Sequence, residues 1–272
     1  PIVMGANIGT TVTSSMVALG HIADKNEFRK AFTASILHDF FNIFTVLLLF
    51  PLQYFTGFLS DFSQNIGHWI FQQELNSGFS VFVSKYLYPI KAIAHFLVDS
   101  LAAYPWLLLL LSIALLFASL KVFASFINEI LIGDSRKKMN DYFFGSPSKS
   151  LLWGTLITGG VQSSSITSSL IVPLVAKGKI SVENAFSFLM GANVGTTVTA
   201  LIAALSKSET ALSLAVAHVL FNVIGVLILF PIPAIRHIPM NLARRMGYIT
   251  TKTRTIAFIY LVVVFFLVPT SL

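Results

Sequence analysis

MGANIGTTVTSSMVALG occupies residues 4–20, and nearly the same stretch, MGANVGTTVTALIAALS, occupies residues 190–206. A second pair follows downstream: HDFFNIFTVLLLFPL at residues 38–52 and HVLFNVIGVLILFPI at residues 218–232. The two pairs keep the same order along the chain. Chance could supply one such match but hardly two in the same order, so the sequence indicates an internal duplication.

The composition is typical of a membrane protein. Of the 272 residues, 55% are hydrophobic and 11% are charged, and the mean hydropathy is +0.80. Soluble domains average about 25% charged residues. Five windows approach or exceed the roughly 20 apolar residues that cross a bilayer; they are Ala31–Pro51, Trp106–Ile132, Ser181–Leu205, Ala211–Pro231 and Ile256–Leu272. We therefore predict an all-α polytopic membrane protein.

The charges and the missing motifs narrow the class of protein. The net charge of +7 comes from residues in short connections between apolar windows, which indicates membrane orientation rather than nucleic-acid binding. No cysteine is present, so disulfides and thiolate metal sites are excluded. No catalytic triad, metal-ligand spacing or P-loop lysine is apparent, and we predict neither an enzyme nor a bound cofactor. The absence of cysteine and of N-glycosylation sequons favours a bacterial inner membrane. The chain opens on Pro1 without a signal peptide, which suggests that a longer protein begins upstream.

The connections indicate how the two copies lie in the bilayer. The connection after Pro231 contains no acid and five basic residues, which are Arg236, Arg244, Arg245, Lys252 and Arg254. The positive-inside rule places it in the cytoplasm. The connection after Pro51 has three acids and two lysines and is expected outside. If 150–176 is a re-entrant hairpin and 181–205 crosses once, the copies run in opposite directions, as in inverted-repeat transporters.

We divide the chain accordingly into four segments. Residues 1–52 are the C-terminal part of repeat 1, and 150–232 are repeat 2. Residues 53–149 hold an external loop, a transmembrane helix and a basic cytoplasmic loop. Residues 233–272 hold a second basic cytoplasmic loop and the last transmembrane helix.

The stretch QSSSITSS at residues 162–169 has seven polar residues out of eight between two apolar runs. Because unsatisfied polar groups are costly in hydrocarbon, this cluster should face protein, water or a ligand. Its hydroxyls and amide can donate to an oxyanion, and its oxygens can ligate a hard cation. The alternative is hydrogen bonding between packed membrane helices. The density of hydroxyls favours binding.

The two Gly-Ala-Asn segments, at 5–7 and 191–193, predict breaks inside membrane helices, because glycine permits a turn and the threonines that follow can cap a resumed helix. The alternative is a GxxxG packing face. Asp39 is the only acid embedded between apolar windows; intramembrane carboxylates are usually functional, although pairing with His38 or an interfacial position is also possible. A structural hydrogen bond is the expected role of His38 and of its repeat partner His218.

At these residues the chain resembles the type II sodium-dependent phosphate cotransporters. That family carries a Gln-Ser-Ser-Ser hairpin in each half, followed by a Gly-(Ala/Ser)-Asn-(Ile/Val)-Gly-Thr segment. Here 162–165 and 191–196 match the second half, and 5–10 match the first. DKNEFRKAF, HDFFN and the ending LVVVFFLVPTSL are also similar. The first Gln-Ser-Ser-Ser hairpin does not occur in this sequence, so we expect repeat 1 to lack it.

The resemblance implies uptake of inorganic phosphate coupled to sodium influx, with sodium as the coupling ion. The candidate phosphate ligands are Gln162, Ser163, Ser164, Ser165, Asn7 and Asn193. The candidate sodium ligands are Asp39, Asn42, Thr196, Thr199, Thr10, Ser168 and Asn222. Electrogenic members keep the aspartate matched by Asp39, so net charge movement is expected. The alternatives are a sodium-coupled transporter of sulfate or a dicarboxylate, and a phosphate sensor that does not transport.

Overall fold

The computed structural model describes residues 1–77, 92–115, 118, 122, 141–205 and 207–267, and no strand occurs among them. The helices, in chain order, are α1 (Ile2–Gly9), α2 (Val12–Leu19), α3 (Lys25–Thr56), α4 (Phe58–Ser77), α5 (92–100), α6 (Pro105–Leu115), α7 (Pro147–Val161), α8 (Ser164–Ala176), α9 (Val182–Leu205), α10 (Glu209–Leu229), α11 (Pro233–Lys252) and α12 (Thr255–Val262). A π-helical turn, Val263–Leu267, follows α12.

Short polar residues fix where the long helices begin. Asp24 caps α3, and its carboxylate accepts hydrogen bonds from the N–H groups of Asn26 and Glu27, both at 2.8 Å. Ser208 caps α10 in the same way through the N–H of Ala211, at 3.2 Å. Gly57 ends α3 with φ of +67°, a conformation that favours glycine, and lets the chain turn directly into α4.

Within the described part of the chain, four helical segments are long and apolar enough to cross a membrane: Ile2–Leu19, Lys25–Thr56, Val182–Leu205 and Glu209–Leu229. Three of them coincide with windows expected from the sequence. Of the remaining two windows, 106–132 is described as far as α6 and at two further positions, and 256–272 is described to residue 267. The protein is an all-α integral membrane protein.

The serine-rich segment forms the expected hairpin. Helices α7 and α8 are joined by a turn at Gln162, whose φ of +60° reverses the chain. The hairpin enters and leaves at one end of the molecule, because the Phe144 carbonyl accepts from the Asn184 side chain near the start of α9 and only five residues separate α8 from α9.

The prediction of a break in the second Gly-Ala-Asn segment was wrong. Helix α9 runs without interruption from Val182 to Leu205. Its glycines are packing positions: a Cβ at Gly191 would collide with backbone atoms of Leu151 and Thr155 in α7. Close approach of two helix backbones explains the glycines as well as a turn does. The first copy is interrupted only slightly, at Thr10 and Thr11 between α1 and α2: both residues keep right-handed helical φ and ψ, and no side chain caps α2.

The two long connections expected as loops are largely helical where the structure describes them. Helix α4 lies along α10, where a Cβ at Gly67 would collide with Ser213. Helix α11 packs on the first half of α3, where Gly247 lies against Thr33 and the Arg29 carbonyl.

One end of the molecule carries most of the described basic residues, and we call it the basic end. It contains the start of α3, the α8–α9 connection and α11. Lys30 lies beside Gly178, and Arg236 of α11 forms an ion pair with Glu183 of α9 at 2.6 Å.

Candidate functional site

A network of buried amides and imidazoles joins the two repeats. The His38 Nε2–H donates to Asn193 Oδ1, and Asn193 Nδ2 donates to Asn42 Oδ1 at 2.9 Å. Asn42 Nδ2 in turn donates to the main-chain oxygen of Asn7 at 2.7 Å. The Gly-Ala-Asn asparagine of repeat 2 therefore bonds the His-x-x-x-Asn pair of repeat 1.

The other half of the network repeats this crossing with longer bonds. The His218 ring and the Asn222 amide both donate to Asn7 Oδ1, at 3.3 and 3.4 Å. Asn7 Nδ2 does not reach Asn222 and donates instead to Val3 O at 2.9 Å. The two halves are equivalent in chemistry but not in geometry, and Asn222 Oδ1 is left buried without a partner among the described residues.

The serine hairpin presents the first turn of α8 to the break between α1 and α2. Ser163 caps α8, and its side chain accepts from Ile166 N at 3.3 Å. Ser165 donates to the Thr10 carbonyl at 3.3 Å, and Ser14 donates to Ser168 at 2.7 Å. A helix start with free N–H groups and neighbouring hydroxyls can bind an anion, and hydroxyl and carbonyl oxygens can ligate sodium.

Asp39 is fully buried beside the same break. Its Oδ2 accepts from the Tyr260 hydroxyl at 2.9 Å, and its Oδ1 has no hydrogen-bond donor among the described residues. Thr11 lies nearby, but its hydroxyl donates to the Ile8 carbonyl, at 2.8 Å. A buried carboxylate oxygen without a donor could accept a cation.

The structure does not separate the candidate asparagines by ion. One network contains Asn7, Asn42, Asn193 and Asn222, although the sequence prediction assigned two of them to phosphate and two to sodium. Gln162 is exposed, at the hairpin turn. Thr196 is used within α9, where it donates to Ala192 O at 3.0 Å, whereas the Thr199 hydroxyl is buried and has no partner among the described residues.

Two residues of this region were not predicted from the sequence. Tyr260 lies in an apolar helix 221 residues from Asp39, and only its lone hydroxyl among apolar neighbours could have drawn attention to it. Ser14 follows the first Gly-Ala-Asn segment, and its repeat counterpart is Ala200, so repeat symmetry gave no hint. Within the described residues no group of three His, Asp or Glu side chains could hold a metal ion.

The sequence is similar to one family of known transporters. The family described as Na+/Pi-cotransporter matches residues 115–237, which include α7 to α10. The sodium-dependent phosphate transport protein 2A of Ovis aries is 30% identical over 343 aligned positions, covering 99% of this chain and 54% of the relative. These matches support assignment of the chain to the type II sodium–phosphate cotransporter family. It spans about half the length of these relatives.

Other members give the same result. The sodium-dependent phosphate transport protein 2B of Bos taurus is 28% identical and covers 99% of this chain and 52% of its own length, and the 2B protein of Homo sapiens gives the same values. No solved structure matches the chain significantly. Because these alignments cover nearly the whole chain, the similarity to the cotransporters extends to both copies of the duplication.

Proposed function

We propose that the protein couples sodium influx to the uptake of inorganic phosphate, with the first turn of α8 binding the phosphate. The observation that supports this most is the contact between the start of α8 and the α1–α2 segment: Ser165 bonds Thr10 at the break, and Ser168 bonds Ser14 of α2. The relatives are named for sodium-dependent phosphate transport. The contact brings oxyanion donors from one repeat to carbonyl oxygens of the other.

Sodium would provide the positive charge that the anion site lacks. No lysine or arginine occurs at residues 1–24, 31–84, 150–176 or 180–206, which hold α8 and most of its neighbours. Among the buried side-chain oxygen atoms without a partner in the described residues, Asp39 Oδ1, Asn222 Oδ1 and Thr199 Oγ1 belong to candidate sodium ligands and would be available to the ion. Binding of each ion then favours binding of the other by the same factor, because linkage is reciprocal.

The contacts between repeats support an inverted arrangement. Thr45 of α3 lies against Gly225 of α10, and these are equivalent positions of the duplication. Glu209 at the start of α10 contacts His68 of α4, which follows the end of α3. From these contacts we infer that α3 and α10 run in opposite directions around a pseudo-two-fold axis, and the basic end would face the cytoplasm of a bacterial cell.

A groove of about 450 Å³ lies where the duplication would place the repeat 1 counterpart of α8. It is lined by α1, α9 and α10, including Ala6, Ala204 and Ala215, whereas α8 itself packs on α9, α2 and α3. We propose that a second hydroxyl-bearing hairpin, supplied by a segment outside residues 1–272, fills this groove and completes the site.

Uptake of radioactive phosphate into proteoliposomes tests the proposal, with the intact gene product and an inward sodium or potassium gradient. We expect uptake with sodium only, competition by arsenate but not by sulfate, and inward positive current if the cycle is electrogenic. Ser164→Ala should abolish uptake, whereas Ser112→Ala, at an exposed serine of α6, should not. Folded protein without sodium-dependent uptake, or preference for sulfate, would refute the proposal.

A further inference from the structure

Helix α11 has an outward side that the proposed transport does not use. Its inward side packs on the protein through Met240, Ala243 and Gly247, and through Arg236, which is paired with Glu183. The outward side contains the exposed apolar residues Ile238 (48% exposed), Leu242 (38%) and Tyr248 (53%) and the exposed cations Arg244, Arg245 and Lys252. The outward side of α11 therefore carries both apolar and cationic residues, and the described part of the protein leaves this surface uncovered.

These exposed residues form rows along the helix. Ile238 and Leu242 are one turn apart, and Arg244, Tyr248 and Lys252 are also spaced by one turn. Lys252 Nζ lies 5.3 Å from the centre of the Tyr248 ring, so the aromatic and cationic groups form one patch.

The cations of this patch have no acidic partner among the residues that the structure describes. The sequence contains no aspartate or glutamate from residue 210 to residue 272. The hydrogen bond of Arg244 is to the neutral side chain of Asn241, at 3.4 Å, and neither Arg245 nor Lys252 forms an ion pair with any residue that the structure describes. The patch is complementary to an anionic surface.

The position of α11 indicates which surface that is. Helix α10, a candidate membrane span, ends at Leu229, and the apolar helix α12 begins at Thr255, so α11 lies where the chain leaves and re-enters the membrane. We propose that the outward side of α11 binds anionic phospholipids, with Ile238 and Leu242 at the acyl boundary and Arg244, Arg245 and Lys252 on the headgroup phosphates. Apolar rows beside cationic rows are what an interfacial helix requires, and a soluble acidic partner would leave the two aliphatic side chains without a function.

The first test measures binding of phosphatidylglycerol and of phosphatidylcholine to the purified chain in neutral detergent, by native mass spectrometry. We expect tighter binding of phosphatidylglycerol. A triple variant, R244Q/R245Q/K252Q, should bind it about fivefold more weakly per removed cation, on the order of a hundredfold in total. The matched control K25Q/K149Q/K177Q removes the same charge from exposed lysines outside α11 and should lose much less.

A photoactivatable phosphatidylglycerol crosslinked to the unmodified chain provides a test that does not depend on the variants folding. Crosslinks within residues 238–252 support the proposal, and crosslinks confined to other helices refute it. Equal binding of the two lipids, or equal losses in the triple variant and its control, would also refute it. Displacement of the lipid by millimolar inorganic phosphate would assign the patch to free phosphate instead. None of these outcomes depends on transport activity.

Discussion

The glycines of the two Gly-Ala-Asn segments provide a matched pair for testing the packing of the hairpin. Gly191 and Gly5 are equivalent in the duplication, but a Cβ at Gly191 would lie 2.9 Å from Thr155 N and closer still to the Leu151 carbonyl, whereas a Cβ at Gly5 meets nothing within 4 Å. Overpacking against a helix backbone costs about 1–3 kcal/mol. Replacing a helical glycine with alanine gains about 0.5–1 kcal/mol at either site.

Gly191→Ala should therefore be less stable than Gly5→Ala by about 1–3 kcal/mol, because the helix-propensity gain is common to both variants and cancels. At about 2–4 °C per kcal/mol for a chain of this size, their midpoints of thermal unfolding should differ by roughly 2–12 °C. The assay is thermal unfolding of the purified 272-residue chain in detergent, followed by tryptophan fluorescence. Equal midpoints, or a lower midpoint for Gly5→Ala, would refute the assignment of Gly191 to backbone packing.

Three further predictions concern the site and the start of α3. Tyr260→Phe should raise the sodium concentration for half-maximal uptake about tenfold, because it removes one hydrogen bond to Asp39. The phosphate concentration for half-maximal uptake, measured at saturating sodium, should be nearly unchanged; equal changes in both would contradict a role at sodium. Asn193→Ala should lower the unfolding midpoint more than Asn7→Ala. The first change leaves His38 and Asn42 without their hydrogen-bond partner, whereas the bonds from His218 and Asn222 to Asn7 are long and lose less when removed. The reverse order in thermal melts would refute this. The N–H groups of Glu27 and Asn26 hold the pKa of the Asp24 carboxyl below its ordinary value, so the stability from this cap is present at neutral pH and is lost as pH falls through that lowered pKa. Asp24→Asn should be less sensitive to acid in melts between neutral pH and about pH 3, and an unchanged acid dependence would contradict the linkage.

The sequence predicted the features that depend on local pattern. Apolar windows located α3, α9 and α10, and the hydroxyl cluster located the hairpin, because hydropathy and turn chemistry act over a few residues. The duplication also predicted that asparagines and histidines would occur in equivalent places. It did not predict that each asparagine bonds the histidine of the other repeat, which depends on how the copies pack.

The features that the sequence missed depend on contacts between distant segments. A glycine such as Gly191 suits a turn and a close helix crossing equally well, and only the position of Leu151 decides between them. Tyr260 approaches Asp39 across 221 residues of sequence. Helix α11 packs over α3 where Gly247 fits against Thr33, and no periodic pattern in the sequence reveals that contact.

Coupled binding of the two ions can be tested directly by measuring equilibrium binding of phosphate and of sodium to the intact protein, each with and without the other. The proposed site combines the first turn of α8 with buried oxygen atoms such as Asp39 Oδ1, and the segments that hold these groups contain no nearby lysine or arginine. Sodium should raise the affinity for phosphate, phosphate should raise the affinity for sodium by the same factor, and potassium should do neither. Phosphate binding that is equally tight in sodium and in potassium would contradict the account.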